Sequence, residues 1–170
     1  MGRTIKQITF ILLLSTLLGL VRFYFLKDDD FTLIKETRVL QEVEAQGSDS
    51  SGAIFTIPDF MTEPMMASLE FTKYFFDNKK AVFVDARESE EFGVSHIAGA
   101  INIPFDYYDE YMDTIDALKY DDVFIIYCGG GECSLSLDLA DVLFSNKAFE
   151  NVFVFEGGLP AWQDAGYPTE

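Results

Sequence analysis

Short apolar segments recur through the last two thirds of this chain. The segments "AVFVDA", "DVFIIYC" and "NVFVFE" are continuously apolar and rich in β-branched and aromatic residues, which predicts strands buried on both faces. Two further segments, "IFTI" and "INIP", predict shorter strands. Because strands buried on both faces occur mainly in parallel sheets, the pattern indicates a sheet that helices cover on both sides.

Amphipathic segments alternate with these strands. "EPMMASLEFTKYFFDN" and "SLSLDLADVLFS" have apolar residues at roughly helical spacing, and "GGLPAW" predicts a turn followed by a helix. In the first of these helices the apolar positions are Met66, Leu69, Tyr74 and Phe75. The alternation predicts an α/β fold with a central parallel sheet, whose ligand site lies beyond the carboxyl ends of the strands.

The amino-terminal region has a different pattern. Residues 5–26 read "IKQITFILLLSTLLGLVRFYFL", with a mostly apolar centre between Lys6 and Arg22. A helix of this length reaches about 33 Å, enough to cross a bilayer. We therefore interpret residues 1–27 as a single-pass transmembrane anchor. A cleaved signal peptide is the alternative, although no small-residue cleavage pattern follows the apolar centre.

Between the anchor and the strands, residues 28–53 are predicted to form a juxtamembrane segment and linker. The first part has apolar residues at roughly helical spacing, and "GSDSSG" is typical of a linker. Those apolar residues are Leu33, Ile34, Val39, Leu40 and Val43. The globular domain is then expected to comprise residues 54–170. Basic residues flank the anchor on both sides, and we expect the domain to lie on the extracytoplasmic, periplasmic side.

Acidic residues dominate the charge of the chain. It has 29 acidic and 12 basic residues, and its formal net charge is −17. Such a body is repelled by nucleic acid, so no nucleic-acid partner is predicted. The acidity is typical of a solvated surface, and it also suits a basic protein partner or a membrane protein complex. With two cysteines and one histidine, the usual zinc compositions are absent, and neither a metal nor a cofactor is predicted.

Both cysteines lie in the stretch "IIYCGGGECSLS", where Cys128 directly follows a predicted buried strand. Glycine-rich backbone can turn several N–H groups into one hollow, and the helix that follows adds partial positive charge. Since helix N-termini lower thiol pKa values, Cys128 is a candidate nucleophile. The alternative is that Cys128 is simply a small apolar residue at the end of a strand. The predicted cradle consists of Gly129, Gly130, Gly131, Glu132, Cys133 and Ser134.

Three blocks of the sequence resemble the signatures of rhodanese-like domains, in the same order. They are "VDARESEEFGVSHIAGAINIP", the strand, loop and helix around Cys128, and "NVFVFEGGLPAWQDAGYP". The resemblance implies a three-layer α/β domain in which Cys128 carries sulfane sulfur as a persulfide, stabilised by loop N–H groups. It also implies supporting roles for Asp85 and Arg87. His96 is expected to fix a turn rather than to act as a base.

The loop departs from the family's usual pattern, Cys-x-x-Gly-x-Arg. Gly131 fits the glycine position, but Cys133 stands where the arginine would be, Glu132 adds a negative charge, and the loop has no basic residue. Efficient use of an anionic donor such as thiosulfate is therefore not expected. Phosphatase chemistry is disfavoured for the same reason, because the arginine that clamps phosphate is missing.

The second cysteine suggests other chemistry. Cysteines at the two edges of a tight loop can come within disulfide distance, so Cys133 either resolves an oxidised or persulfidated Cys128, cycles with it as a dithiol, or only fills the loop. Three functions follow: a membrane-anchored sulfur carrier or sulfurtransferase, a thiol redox module, and a non-catalytic accessory subunit of a membrane complex. Whether the chain is an enzyme is left open by the sequence.

Overall fold

The computed structural model describes residues 2–25, 40–43, 55–131 and 133–170. The chain divides into two units, Met1–Val39 and Leu40–Glu170. In the first unit, α1 (Gly2–Phe25) is a continuous helix, as its apolar sequence predicts. In the described part of the chain, however, we find no helix with the length and apolar character needed to cross a membrane. The predicted transmembrane anchor is therefore not supported.

A sheet of five parallel strands forms the centre of the second unit. The order across the sheet is β1, β5, β4, β2, β3, and each neighbouring pair is parallel. The strands are β1 (Met65–Met66), β2 (Val82–Asp85), β3 (Ile101–Asn102), β4 (Val123–Tyr127) and β5 (Asn151–Phe155). The expected α/β fold with a central parallel sheet is confirmed. Because β4 lies in the middle of the sheet, the residue that follows it, Cys128, is central on the carboxyl edge.

Short helices connect the strands. They are α2 (Leu69–Asp77), α3 (Ser89–Val94), α4 (Met112–Asp116), α5 (Leu135–Asp141) and α6 (Gly158–Asp164). A 3₁₀ helix, Phe105–Tyr111, precedes α4, and a π-helical turn, Val142–Asn146, extends α5. Ser68 caps α2, since its Oγ accepts a hydrogen bond from the N–H of Phe71 at 3.1 Å. These helices form the two outer layers of the domain.

The core has two halves, one on each face of the sheet. Alternate residues of β4 point to opposite faces, so Phe124 and Ile126 belong to one half, while Ile125 and Tyr127 belong to the other. Helix α5 covers the first half with Leu139 and other buried residues. The second half contains α2, α6 and the fully buried Trp162. Cys128 lies in the half that α5 covers.

The start of the domain differs from the prediction in two ways. Residues 55–57 of "IFTI" are not a strand, and the first strand is instead formed by Met65–Met66, which the pattern assigned to a helix. Met66 pairs with Val154 of β5, and the helix begins only after Ser68. The pairing with β5 gives the backbone N–H and C=O groups at the edge of the sheet hydrogen-bond partners, and it buries Ala67. These contributions outweigh the helical preference of the methionines.

The second difference concerns Leu40 and Val43, which were expected in a juxtamembrane helix. They are buried, at 5% and 6% exposure, one in each half of the core. Their segment is extended along β1: the N–H of Met66 donates to Gln41 O at 2.7 Å, and the N–H of Val43 donates to Met66 O at 3.2 Å. The compact unit that contains the sheet therefore includes Leu40 and Val43, and a domain boundary at residue 54 stays a prediction. Leu33, Ile34 and Val39 lie outside the described residues.

Candidate active site

Parallel strands bring the candidate site residues to one edge of the sheet. In the register of the sheet Asp85, the last residue of β2, is paired with Tyr127 at the end of β4. Tyr127 is in turn paired with Phe155, the last residue of β5. Cys128 and the turn at Gly157 thus follow neighbouring strand ends. The structure brings together the regions that the sequence assigned to the site, at the edge where parallel α/β sheets bind ligands.

The loop after β4 is closed by its two cysteines. Cys128 and Cys133 form a disulfide, with their Cα atoms 6.6 Å apart. This meets the expectation that the loop brings the two thiols within bonding reach. Cys128 is 1% exposed, whereas Cys133 is half-buried. The two sulfur atoms therefore differ in their access to solvent, and an external reagent meets Cys133 first.

Glycines let this loop pack against the turn between β5 and α6. Gly130 has φ +73°, and a Cβ there would lie 2.6 Å from the carbonyl oxygen of Gly157. Gly158, with φ +59°, approaches the backbone of Cys128 and Gly130 so closely that a Cβ would overlap it. The N–H of Leu159 donates to the carbonyl oxygen of Cys128 at 3.0 Å. The turn after β5 therefore shapes the cysteine loop.

Two oxygen atoms lie close to the sulfur of Cys128. The carbonyl oxygen of Cys133 and the hydroxyl oxygen of Ser136 are both 3.4 Å from Sγ. Among the described loop residues, no backbone N–H donates to this sulfur; that of Cys133 donates to Gly130 O at 3.3 Å. The anion cradle of loop N–H groups stays a prediction, one that concerns the reduced loop. Glu132, which was assigned to that cradle, lies outside the described residues.

Ser134 and Ser136 have different roles although they are two residues apart. Ser134 Oγ donates to the carboxylate of Asp138 at 2.8 Å, across the first turn of α5. Ser136 is 2% exposed and contacts sulfur instead. Sequence reasoning assigned Ser134 to the site and overlooked Ser136. The available signal was the position of Ser136 on the side of α5 that carries Leu139 and Ala140, both fully buried.

Asp85 and Arg87 form a buried ion pair beside the loop. Arg87 Nε donates to Asp85 Oδ1 at 3.0 Å and its terminal nitrogen donates to Oδ2 at 2.6 Å, while the Arg87 N–H also donates to Oδ1 at 3.0 Å. The guanidinium reaches Ser95 O at 2.8 Å and lies 3.8 Å from Glu91. Burial alone would lower the pKa of Arg87, but the hydrogen bonds and charge of Asp85 outweigh it and raise that pKa. The pair is bonded within itself and to the backbone, and the supporting role of Asp85 and Arg87 stays a prediction.

Tyr127 joins this network from the end of β4. Its side chain is fully buried, and its hydroxyl oxygen accepts a hydrogen bond from the N–H of Ile97 at 3.0 Å. Burial, together with the negative charge of Asp85, raises the pKa of the Tyr127 phenol well above its ordinary value. Asn102 adds a further link, since its amide donates to the carbonyl oxygens of Asp85 and Arg87. Sequence reasoning did not single out either residue.

His96 lies at a turn and contacts the end of the chain. Its ring stacks on Phe92, with centroids 3.8 Å apart, and Nδ1 lies 2.9 Å from Phe92 O. Its backbone exchanges two hydrogen bonds with Glu170. These contacts agree with the expected turn-fixing role. Within residues 2–25, 40–43, 55–131 and 133–170, no group of three or more His, Cys, Asp or Glu side chains is placed to hold a metal ion.

Comparison with known proteins identifies this arrangement. Residues 69–165 match the rhodanese-like domain. The chain belongs to the rhodanese-like domain family. The matched segment covers more than half of the chain and includes Cys128, the Asp85–Arg87 pair and the turn at Gly158. The rhodanese-like fold that three sequence blocks indicated is thereby confirmed.

Individual relatives differ in how much of them the chain covers. It is 33% identical over 92 residues to the thiosulfate sulfurtransferase GlpE of Actinobacillus succinogenes, spanning 54% of this chain and 78% of that protein. It is 34% identical over 86 residues to a tRNA uridine(34) hydroxylase of Erwinia tasmaniensis, spanning 49% of this chain but only 24% of the hydroxylase. The crystal structure of the BH2092 protein from Bacillus halodurans superimposes with a TM-score of 0.55 at 25% identity, over 62% of this chain and 75% of that one. The chain therefore spans most of the sulfurtransferase but only about a quarter of the hydroxylase.

Proposed function

We propose that this rhodanese-like domain is a sulfur carrier, in which Cys128 accepts a sulfane sulfur as a persulfide and Cys133 closes the loop once that sulfur has left. Cys128 is the candidate nucleophile because it follows the central strand and lies at the carboxyl edge. The observation that carries the proposal is the Cys128–Cys133 disulfide, since it makes Cys133 an intramolecular thiol for Cys128. The relationship to a thiosulfate sulfurtransferase supports sulfur chemistry of this class.

The chemistry needs no cofactor. The Cys128 thiolate attacks the outer sulfur of a persulfide donor, a new S–S bond forms, and the donor leaves as a thiolate. Delivery follows when an acceptor nucleophile attacks that outer sulfur and Cys128 leaves as a thiolate. If Cys133 attacks first, it bonds to Cys128 Sγ, hydrosulfide leaves with the electron pair of the broken S–S bond, and the disulfide results. A thiol reductant then returns both cysteines to the reduced state.

The donor is expected to be neutral or cationic rather than thiosulfate. The loop has no basic residue, and the chain as a whole has a net charge of −17. The Arg87 guanidinium near this edge is already bonded to Asp85. An anionic donor would therefore approach a negative body without a positive group to bind it. A persulfide on a basic partner protein has the complementary charge.

A dithiol redox module is the second candidate, and the same disulfide favours it. In that case Cys128 and Cys133 pass two electrons to or from a partner thiol pair, and no sulfur atom is carried. The accessory role in a membrane complex stays a prediction, and it requires no Cys128. The extracytoplasmic position also stays a prediction. The three functions therefore differ in which cysteine they require.

Intact mass of the full chain distinguishes them. We would reduce the protein, remove the reductant, and expose it to either the persulfide of cysteamine, which is cationic, or to thiosulfate. Cys133→Ser retains the carrier thiol without the resolving one, so it is expected to hold one extra sulfur atom that cyanide removes. Cys128→Ser is its matched control and should hold none.

The outcomes separate the candidates. The unmodified chain is expected to gain one sulfur atom and then to lose it as hydrosulfide when the disulfide forms, which leaves the chain two hydrogens lighter than its reduced form. Disulfide formation in the unmodified chain, with no sulfur added to Cys133→Ser, would favour the redox module. If neither variant nor the parent chain changes mass with any donor, both thiol functions are wrong and the accessory role remains.

A further inference from the structure

A buried hydroxyl lies against the reacting sulfur. Ser136 Oγ is 3.4 Å from Cys128 Sγ, and the two side chains are 2% and 1% exposed. Their surroundings are apolar, because Leu139, Ala140 and Ile126 belong to the same half of the core. A polar group in such surroundings needs a hydrogen-bond partner, since burial without one is unfavourable.

The strength of the hydrogen bond that a sulfur atom accepts depends on whether the sulfur is a disulfide, a thiol or a thiolate. Sulfur in a disulfide or a neutral thiol is a weak acceptor, so a hydroxyl gains little from it. A thiolate is a full negative charge, and hydrogen bonds to charged groups are about twice as strong as those between neutral groups. A hydroxyl fixed beside this sulfur therefore stabilises the thiolate more than either neutral form.

We propose that the Ser136 hydroxyl donates a hydrogen bond to Cys128 Sγ when that sulfur is a thiolate, and thereby makes Cys128 reactive near neutral pH. The inference rests on the proposed function, in which Cys128 is the reacting thiol. Ser136 supplies the thiolate with a hydrogen-bond donor from α5, next to a loop that has no basic residue. Ser136 stabilises the charge from inside the core, whereas the open side of the loop remains without positive charge.

The two cysteines then have fixed roles when the disulfide is reduced. A dithiol reductant attacks Sγ of Cys133, because Cys128 is almost inaccessible while the disulfide is closed. The disulfide breaks, and its electron pair leaves on Cys128 as a thiolate beside Ser136. The second thiol of the reductant attacks the mixed disulfide and releases Cys133, so that the reductant becomes a disulfide and its two protons pass to the cysteines or to water. A better-stabilised leaving thiolate departs faster.

The test measures the reactivity of Cys128 directly. In full-length Cys133→Ser, Cys128 is the single cysteine, and its alkylation by iodoacetamide can be followed by mass at a series of pH values. Adding Ser136→Ala is expected to move the midpoint of this pH profile upwards by about one unit, and to lower the rate below the midpoint about tenfold. The plateau rate at high pH should be unchanged. A merely structural role would change access, and hence the plateau, without moving the midpoint.

Ser145→Ala is the matched control, because it removes an exposed hydroxyl from the π-helical turn that extends α5. It should leave the midpoint in place. Ser136→Thr and Ser136→Val are alike in shape but only threonine keeps the donor, so this pair gives the same comparison if Ser136→Ala does not fold. An unchanged midpoint in Ser136→Ala, or an equal shift in Ser145→Ala, would overturn the inference. Alkylation needs no sulfur donor, so a shifted midpoint in a chain that never gains sulfur would reject the carrier function and retain the role of Ser136.

Discussion

Two neighbouring strand ends at the carboxyl edge of the sheet are built in opposite ways. After β2, Asp85 and Arg87 bring opposite charges into a buried corner, where each polar atom described above has a partner. After β4, the cysteine loop has no basic residue, and the sulfur of Cys128 contacts a hydroxyl and a carbonyl oxygen. The two corners are joined through Tyr127, which precedes the loop and responds to the charge of Asp85.

The difference suggests that the Asp85–Arg87 corner supports the fold and that the cysteine loop carries the chemistry. Arg87 Nε and one terminal nitrogen are already bonded to Asp85 and to Ser95 O, so we expect the first corner to hold the edge in shape. The second corner contains a bond that can be made and broken. Variants of the first corner should therefore change mainly the free energy of unfolding, whereas variants of the second should change reactivity as well.

The largest effect on stability is expected from Asp85→Ala. It leaves the buried guanidinium of Arg87 without its carboxylate, which should lower the free energy of unfolding by about 3–5 kcal/mol. Urea denaturation monitored by circular dichroism measures this loss. The double variant Asp85→Ala with Arg87→Met removes the stranded charge and should recover part of the stability. If the double variant is no more stable than Asp85→Ala, the unpaired charge of Arg87 is not the cause of the lost stability.

Reduction of the disulfide is expected to have the next largest effect. Opening a loop as short as the one between Cys128 and Cys133 should lower the free energy of unfolding by about 2 kcal/mol, because the unfolded chain gains freedom. Denaturation with and without a thiol reductant measures the difference. Cys133→Ser should be insensitive to the reductant. If it responds as strongly as the parent chain, the disulfide is not the cause.

A positive charge introduced into the cysteine loop should change which sulfur donor reacts faster. Cys133→Arg places a guanidinium where the usual family loop has arginine, and it should speed sulfur uptake from thiosulfate about tenfold, equivalent to about 1.4 kcal/mol. The rate of mass increase with thiosulfate, against that with the cationic persulfide, measures the preference. Cys133→Gln controls for length without charge. An equal gain in the glutamine variant would contradict the electrostatic explanation.

The smallest effect concerns the tyrosine that links the two corners. Tyr127→Phe removes one buried hydrogen bond, to the N–H of Ile97, and should lower the free energy of unfolding by about 1 kcal/mol at neutral pH. The fold raises the pKa of this phenol, so its stabilising contribution is complete below the ordinary phenol pKa of about 10 and is lost as the pH rises above it.

The parent chain should therefore lose stability more steeply than Tyr127→Phe above about pH 10. Urea denaturation at a series of alkaline pH values gives both slopes. Tyr120→Phe is the control, because Tyr120 is 64% exposed. Parallel slopes in the parent chain and Tyr127→Phe would show that another group controls the alkaline loss.

Sequence reasoning succeeded where a segment carries its own signal. Strands β2, β4 and β5 are continuous apolar runs, and their burial follows from their composition. It failed for β1, because a strand of two residues is defined by its neighbours: Met66 is held by Gln41 and Val154, both distant in sequence. A pattern within one segment cannot reveal such a pairing.

The site shows the same division. The thiol, the glycines and the missing arginine could be read from one short stretch, and the nearness of the two cysteines follows from their spacing. The contact of Ser136 with sulfur depends on how α5 sits over β4, and the network of Tyr127 depends on the register of β2 beside β4. Neither arrangement is encoded in a local motif.

The contact between Gly158 and Gly130 implies an order of events during synthesis. A ribosome releases Cys128 and Cys133 well before the turn after β5, yet the cysteine loop rests on that turn and is bonded to Leu159. A nascent chain that stops short of Gly158 has both thiols but lacks the surface that shapes the loop around them. The thiol chemistry proposed for Cys128 should therefore emerge only after the turn at Gly158 has been synthesised, and a chain truncated before Gly158 should be inert.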